Sequence, residues 1–384
     1  MKILHSADWH LGRVFHNVAL LEDQAYILQQ FIECVRDRKP DAVIIAGDIY
    51  DRSVPSSDAV SLLDDTLTKI VIGLKVPVII IAGNHDSPER LSFGSRLLES
   101  AGLTVRGPLS NGCAPVLFED VHGTVAIYPI PYSEPPLVRV ALNNDELKDH
   151  HQCLNAQLTR VRNEHNANFR SVVVAHAFVQ GGSVSESERP LSLVGGSGVV
   201  GLDVFDGFNY VALGHLHRHQ SMDGKRVNYA GSLMKYSFAE ASHEKSLSLV
   251  DIDGDGNVEI EPITLKPKRD LRIITGSLED IIAGAENDLQ SEDFILARLT
   301  NQGAILDAMG KLRTAYPNAL AIERIQQTSG SGVADARDHR KISTDALFSS
   351  FYKEMTGTDL SADAQQILHK EIAHIEMANR ESVQ

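Results

Sequence analysis

Five short apolar runs rich in β-branched residues punctuate the chain: Lys2-Ile3-Leu4-His5, Ala42-Val43-Ile44-Ile45, Val78-Ile79-Ile80-Ile81, Val172-Val173-Val174 and Tyr210-Val211-Ala212-Leu213. Runs this short and this continuous predict strands buried on both faces. Between them apolar residues return at helical spacing, as Leu21, Ala25, Leu28, Ile32 and Val35, and again as Leu63, Leu67, Ile70 and Leu74. Strands therefore alternate with helices from residue 1 to about 140, the pattern of an α/β layered fold. If the five strands pair in one sheet, their carboxyl ends converge on one rim, where such sheets carry their ligands.

The residues just after each run give that rim its chemistry. The segments are Asp8-Trp9-His10, Gly47-Asp48, Gly83-Asn84-His85-Asp86, Ala175-His176 and Gly214-His215-Leu216-His217. Oxygen and imidazole donors without a thiolate suit Mn²⁺, Mg²⁺, Fe or Zn²⁺. Asp8 and His10 alternate along an extended segment, so one ion can take both, and His215 with His217 does the same. Asp48 follows a glycine that lets the chain turn sharply, and a carboxylate can bridge two cations about 3.5–4 Å apart. A lone Asp or His at a strand end is ordinary. Five successive strand ends that each deliver a metal-compatible donor read as a two-metal phosphoester hydrolase.

The rest of the chain adds further modules. A polar helix is expected over 145–164, and residues 180–201 read as a long mobile loop beside the site, carrying Glu186, Glu188 and Arg189. Its Gly195-Gly196-Ser197-Gly198 lacks the Lys-Ser/Thr of a phosphate-binding loop. Strands are expected over 226–229, 247–252 and 258–265. The turn from Asp251 to Asn257 imitates the start of a calcium loop, but the twelfth position is Pro262 where a bidentate Glu is needed, so it reads as a hairpin. Lys266-Pro267-Lys268-Arg269 marks a boundary. Beyond it lies a small α+β module: strand 271–275, helix 278–286, strand 294–299, helix 304–316 and strand 319–325. Residues 327–341 read as a flexible linker. Two apolar stripes follow, Leu347, Phe348, Phe351, Tyr352 and Met355, then Leu360, Ala364, Leu368, Ile372 and Ile375. Two short amphipathic helices either fold back onto the body or dock on a partner.

Composition narrows the setting. A chain of 384 residues predicts two or three domains, and 43% hydrophobic with 23% charged content is that of a soluble globular protein. No apolar stretch approaches the ~20 residues that span a bilayer. A strand and a candidate ligand occupy the first ten residues, which argues against a cleaved signal peptide and for the cytoplasm. Cys34, Cys113 and Cys153 are odd in number and widely spaced, as free thiols are in a reducing compartment. A net charge of −15 argues against a generally basic nucleic-acid binder. Any attraction for DNA must be local or supplied by a partner.

Four stretches carry a more specific likeness: Met1 to Gly12, Ala46-Gly-Asp-Ile-Tyr-Asp51, Ala82-Gly-Asn-His-Asp86 and Ala212-Leu-Gly-His-Leu-His217. They resemble the calcineurin-like metallophosphoesterase superfamily and, within it, the nuclease-subunit family of SbcCD complexes. The resemblance implies a layered α/β sandwich over residues 1–265, with central sheets flanked by helices. It also implies a capping, DNA-binding domain over 266–326, a linker over 327–341, and a helical segment over 342–384 that binds an SbcC-type ATPase. Carried over by position, one Mn²⁺ is held by Asp8, His10, Asp48 and His217, and the other by Asp48, Asn84, His176 and His215. Mg²⁺ is the alternative ion. His85 is then the catalytic histidine near the leaving oxygen. Some relatives carry a second functional histidine where this chain has Asp51. His5, His16 and His219 match no ligand position and are expected in supporting or surface roles.

The activity so implied is 3′→5′ exonuclease action on duplex ends and endonuclease action on single strands and hairpins, in DNA repair and recombination. Duplex cleavage would depend on the ATPase, since this chain has no Walker A sequence. The assembly would be a homodimer within a heterotetramer, with no membrane association. Two rival readings remain. One is a metallophosphatase of another phosphoester, suggested by Gly47-Asp-Ile-Tyr-Asp51-Arg52, although Ser53 and Asp86 depart from the protein-phosphatase pattern. The other is a non-catalytic structural subunit of the ATPase complex.

Overall fold

The computed structural model describes residues 1–110, 114–191, 198–301, 303, 305–325, 348–349, 352, 358–361 and 364–372. The chain forms two compact units, Met1–Ile325 and Gln326–Gln384. In the first, the strands run β1 (Lys2–Ser6), β2 (Ala42–Ala46), β3 (Val78–Ile81), β4 (Leu103–Arg106), β5 (Val116–Asp120), β6 (Gly123–Pro129), β7 (Arg170–His176), β8 (Tyr210–Gly214), β9 (Gln220–Ser221), β10 (Val227–Tyr229), β11 (Ser246–Ile252) and β12 (Val258–Thr264). The five apolar runs are all strands, but they divide between two six-stranded sheets rather than sharing one. The first sheet is ordered β12-β11-β1-β2-β3-β4 and the second β9-β10-β8-β7-β6-β5.

Alternation along the strands explains how the sheets stack. Ile3, Ile44, Ala46, Ile79 and Ile81 point from the first sheet into a core shared with Val125, Ile127, Val172, Val174 and Ala212 of the second. The intervening residues Leu4, Val43, Ile45 and Ile80 face the other way, onto Ile27, Leu28, Phe31 and Val35 of helix α1 (Leu21–Arg38). On the far side Val173, Ala175, Val211 and Leu213 pack on Leu154, Leu158 and Val161 of a helix spanning His150–Glu164. The order is therefore helix, sheet, sheet, helix, and the central strands are buried on both faces. Each fully buried Val, Leu or Ile contributes about 1.5–3 kcal/mol of burial free energy, which favours this stacking over any arrangement that wets a sheet face.

Local signals shift several element ends. The helix expected from residue 145 starts at His150, because the Asp149 carboxylate caps it by accepting the Gln152 N–H at 2.8 Å. The stripe Leu63 to Leu74 is not one uniform helix. The helix Ser57–Leu67 widens into i→i+5 bonding over Thr68–Gly73, where Leu74 N–H reaches Lys69 O at 2.9 Å. The segment Asp251 to Asn257 is a hairpin turn: Ile252 pairs with Val258, and Asp253 Oδ1 accepts the N–H groups of Asp255 and Asn257.

After Lys266 the chain builds a parallel three-stranded sheet from β13 (Leu271–Gly276), β14 (Phe294–Leu299) and β15 (Ala319–Arg324), with helices Leu278–Gly284 and Ala308–Ala315 on one face. Asp307 caps the second helix at the Gly310 N–H, so it begins later than the expected residue 304. Leu271, Phe294 and Leu320 join the α1 side of the main core, and Arg269 bonds Asp23 while lying over the Phe294 ring at 4.4 Å.

In the second unit, residues 364–372 are helical, and Ser361 Oγ caps them by accepting the Ala364 N–H. Ala364, Leu368 and Ile372 of the second apolar stripe lie on this helix. Cys113, residues 192–197, the linker read at 327–341 and most of the first stripe lie outside the described residues. Cys34 and Cys153 are free thiols. Among the described residues no helix is long and apolar enough to cross a membrane.

Candidate metal centre

The carboxyl ends of the strands in the two stacked sheets converge on one rim. Asp8 N–H donates to Gly47 O at 3.1 Å and His10 N–H to Asp48 O at 3.0 Å, which locks the loop after β1 to the loop after β2. Gly214 stands opposite His176 in the β7–β8 register. Two glycines permit this convergence. Gly47 has φ +91°, and a Cβ there would strike the His176 ring. A Cβ on Gly214 would strike the Ala46 carbonyl of the facing sheet. Asp8, His10, Asp48 and His215 all have positive φ. Non-glycine residues in that region cost about 1–3 kcal/mol each and persist where surrounding structure over-determines them.

All eight residues singled out from the sequence lie in one buried cluster. His10 Nε2 faces His217 Nε2 at 3.0 Å. Asp48 Oδ2 lies 3.8 Å from His10 Nε2, 3.5 Å from His176 Nε2 and 3.9 Å from His85 Nε2. Asn84 Oδ1 is 2.9 Å from His176 Nε2 and 3.3 Å from His215 Nδ1. Asp8 accepts the His215 N–H at 2.9 Å and lies 3.9 Å from His176 Nδ1. His85 N–H donates to Asp48 Oδ1 at 2.8 Å. Asp51 joins the edge of the cluster, paired with Arg13 at 2.8 Å and 3.8 Å from His10 Nδ1.

Tautomers decide whether this cluster fits a cation. His176 Nδ1 is 2.9 Å from the Ala46 carbonyl, an acceptor only, so that nitrogen carries the proton and Nε2 presents a lone pair. That lone pair faces the Asn84 oxygen and the Asp48 carboxylate. Three electron-rich atoms at 2.9–3.5 Å repel one another unless positive charge sits among them. Edges of about 3 Å are also what ligands about 2.1 Å from a six-coordinate ion require. The donors present therefore fit divalent metal.

Electrostatics agree. Burial, then repulsion from Asp48, pushes the Asp8 carboxyl well above its ordinary value, and burial also raises Asp48. Burial lowers the imidazoles, His10 and His215 well below the usual range and His176 to about 4. Neutral imidazoles around buried carboxylates leave the centre short of positive charge. Asp86 is not aimed at the cluster. It accepts the N–H groups of Gly83, Ile49 and Tyr50 and so fixes the loop that carries Asn84 and His85. His85 Nδ1 bonds Asp51 O at 2.8 Å, which aims Nε2 at the cluster.

Sequence reasoning did not find the support behind His217. Ser187 Oγ lies 2.6 Å from His217 Nδ1, Glu240 Oε1 lies 3.4 Å away, and Lys245 Nζ bonds Glu240 Oε2 at 2.6 Å. The His217 N–H donates to Glu188 Oε1 at 2.8 Å. Burial would raise Glu240, but bonding to His217 and the Lys245 charge override it and hold its carboxyl far below the usual range. An ionised acceptor at Nδ1 puts the proton there and the lone pair on Nε2. Residues 183–191 are thus tied to the site rather than forming a free loop. His5 is a core residue bonded to Tyr210, His16 is exposed, and His219 is half-buried beside Ser248.

Residues 1–219 match the calcineurin-like phosphoesterase family, and residues 267–356 match the type 5 capsule protein repressor C-terminal domain. The chain is 35% identical over 375 residues to a Staphylococcus epidermidis protein named as the D subunit of nuclease SbcCD, covering 98% of each. A Staphylococcus saprophyticus protein of the same name is 35% identical over 373 residues, covering 96% of this chain and 97% of its own. The chain belongs to the family of SbcCD nuclease D subunits. Its phosphoesterase region contains every donor of the cluster, because His217 falls two residues before the end of that match. As a metal-dependent nuclease of this family it uses a divalent metal, and among the described residues Asp8, His10 and His217, and Asp8, Asp48 and His176, bring their donor atoms close enough together to fit one. A solved structure of TT1561 from Thermus thermophilus is similar with a TM-score of 0.38 at 13% identity, over 68% of this chain and 98% of its own.

Proposed function

We propose that this chain hydrolyses DNA phosphodiester bonds at a two-Mn²⁺ centre, as the nuclease subunit of a complex with an SbcC-type ATPase. The observation that carries this reading is the meeting of His176 Nε2, Asn84 Oδ1 and Asp48 Oδ2 as lone-pair atoms, with a second facing pair at His10 and His217. Asp8, His10, Asp48 and His217 would hold one ion, and Asp48, Asn84, His176 and His215 the other, with Asp48 between them. Mg²⁺ has the same preference for oxygen and is the alternative. When bound, such ions supply Lewis acidity, making water more acidic and neutralising charge on a phosphoryl group.

The chain's own residues do the rest. Ala46 O, Ser187 and Glu240 fix the ring orientation and tautomer of His176 and His217. His85, aimed by its bond to Asp51 O, stands 3.9 Å from Asp48 and would bond the departing sugar oxygen and give it a proton. Burial lowers His85 while Asp48 raises it, so a phosphodiester anion arriving beside it strengthens its hold on a proton. Phe93, on a turn after the Asn84 loop, and Leu97, on the short helix Ser95–Leu98 that follows, are 87% and 81% exposed, an apolar face suited to a second copy of this chain. The 266–326 module would cap the site, the 342–384 segment would bind the ATPase, and the complex would act in the cytoplasm.

The test is Mn²⁺ titration of metal-free protein alongside cleavage of a labelled hairpin oligonucleotide and a phosphopeptide. Cleavage of the hairpin should appear with two bound ions per chain and collapse by about 10²–10⁴ in His85→Ala while metal content persists. Preference for the phosphopeptide, or undiminished cleavage by His85→Ala, would refute the reading.

A further inference from the structure

The acidity of the chain leaves open how a polyanion is held at this centre, and the segment 185–189 offers an answer. Its residues are fixed by contacts that leave two exposed charges unpaired among the described residues, Glu186 and Arg189, of which only Arg189 lines the cleft beside the site. Ser187 is buried against His217 and Glu240, and Ser185 Oγ bonds Ser187 Oγ at 2.8 Å. Glu188 spends its carboxylate on two backbone N–H groups, those of His217 and Ser185. The next residue, Arg189, is exposed, and among the described residues it has neither a hydrogen-bond nor an ion-pair partner.

Its neighbours near the site are different. Arg13 is bonded to Asp51 at 2.8 Å, and Arg52 lies 3.8 Å from the same carboxylate. Lys245 is buried on Glu240. Arg189 lines a cleft of about 350 Å³ together with the ligand candidate His215, Phe178, Glu188 and Leu191. Its charge is felt at both Asp48 and His85, although it touches neither. Arg189 thus stands in the same cleft as His215 with no carboxylate bonded to it, free to meet an anion that enters there.

We infer that Arg189 is a substrate-binding residue of this centre, its guanidinium donating to a non-bridging phosphate oxygen of the strand being cut. The inference rests on the DNA-hydrolysing function proposed above and gives it its local attraction. Planar N–H donors match phosphate geometry, and one such contact acts with the metals rather than through a basic surface. The neighbours explain why the arginine is held in place: the same short segment that orients His217 carries it, so metal ligand and phosphate donor share one support.

The test uses full-chain protein, wild type, Arg189→Ala and Arg189→Lys. Binding of a fluorescent single-stranded oligonucleotide is read by anisotropy in Ca²⁺ over a series of KCl concentrations. Cleavage in Mn²⁺, Mn²⁺ affinity by electron paramagnetic resonance, and the thermal midpoint are measured in parallel. Arg189→Ala should weaken oligonucleotide binding about 10-fold, and the slope of log affinity against log salt should fall by about 0.7, one phosphate contact. KM should rise more than kcat falls, with Mn²⁺ affinity and thermal midpoint unchanged. Arg189→Lys should keep the wild-type salt slope. Equal affinity and slope in wild type and Arg189→Ala would overturn the assignment, as would a parallel loss of Mn²⁺ affinity, which would make Arg189 structural. Failure of the wild type to cut the oligonucleotide would instead remove the proposed function.

Discussion

Replacing Glu240 by Gln separates the two tasks of the buried network behind His217. Glu240 is fully buried, bonded through Oε2 to Lys245 Nζ at 2.6 Å and through Oε1 to Ser187 and His217. Removing its charge strands the Lys245 ammonium, which is also buried but keeps His217 O and Ser232 Oγ, each at 2.8 Å. Breaking a buried ion pair by one partner costs about 3–5 kcal/mol. The two surviving acceptors place Glu240→Gln near the lower end, about 3 kcal/mol, and Lys245→Met should lose a similar amount. In the double variant no uncompensated charge remains, so its loss should stay within about 1 kcal/mol of either single variant rather than doubling. Urea unfolding in EDTA measures this without interference from metal. Metal affinity should behave otherwise. Glu240→Gln weakens the acceptor at His217 Nδ1 whether or not Lys245 is also replaced, and Mn²⁺ binding should fall about 10–100-fold in both cases. Additive stability losses, or Mn²⁺ affinity untouched by the substitution, would refute the coupling of this network to His217.

Other outcomes follow from the same geometry. Stripping metal with EDTA should lower the thermal midpoint, because Asp8 and Asp48 then lack a counter-charge, and Mn²⁺ at about 100 times its Kd should restore about 2.7 kcal/mol for each occupied site; an unchanged midpoint would count against a metal between them. The Asp120 carboxyl is held far below its ordinary value by Arg170, at 2.5 and 3.0 Å, so its contribution is fully present above the unfolded value near ~3.9 and is lost as pH falls through and below it. The urea midpoints of wild type and Asp120→Asn should therefore differ most at pH 6, and the gap should narrow progressively as pH falls below ~4 toward the much lower folded value; a constant difference would remove Asp120 from the acid limb. Deleting residues 342–384 should abolish capture of the ATPase subunit in a pull-down while leaving Mn²⁺-dependent cleavage of single strands, and retained capture would move the docking site elsewhere.

The parts of the fold legible in the sequence were those where burial on both faces writes an uninterrupted apolar run, as in Val78–Ile81 and Tyr210–Gly214. Donors at the ends of such strands can be read because strand ends are where sheets expose side chains to a shared rim. The apolar runs alone did not reveal two sheets, since an apolar strand does not show which neighbour it pairs with; the layered sandwich was implied only by the family resemblance. The edge strand Val116–Asp120 was also hidden, half-buried and half-exposed in alternation. Ser187, Glu240 and Lys245 escaped notice for another reason: Ser187 and Glu240 are 53 positions apart, their surroundings have ordinary loop composition, and only the tertiary fold brings both to the His217 ring. The Gly/Ser-rich character of 180–201 suggested mobility, but hydrogen bonds to a buried imidazole outweigh local composition over residues 185–188.

The facing glycines and the shared cluster have a structural consequence of their own. Asp8, His10, Asp48 and Asn84 come from loops of one sheet, and His176, His215 and His217 from the other. A cation gripped by both sets acts as a rivet through the seam of the sandwich. Slippage of one layer against its neighbour by even a single residue would pull these donors apart, so the capacity to hold the proposed cation and the alignment of the two layers would be lost together or kept together.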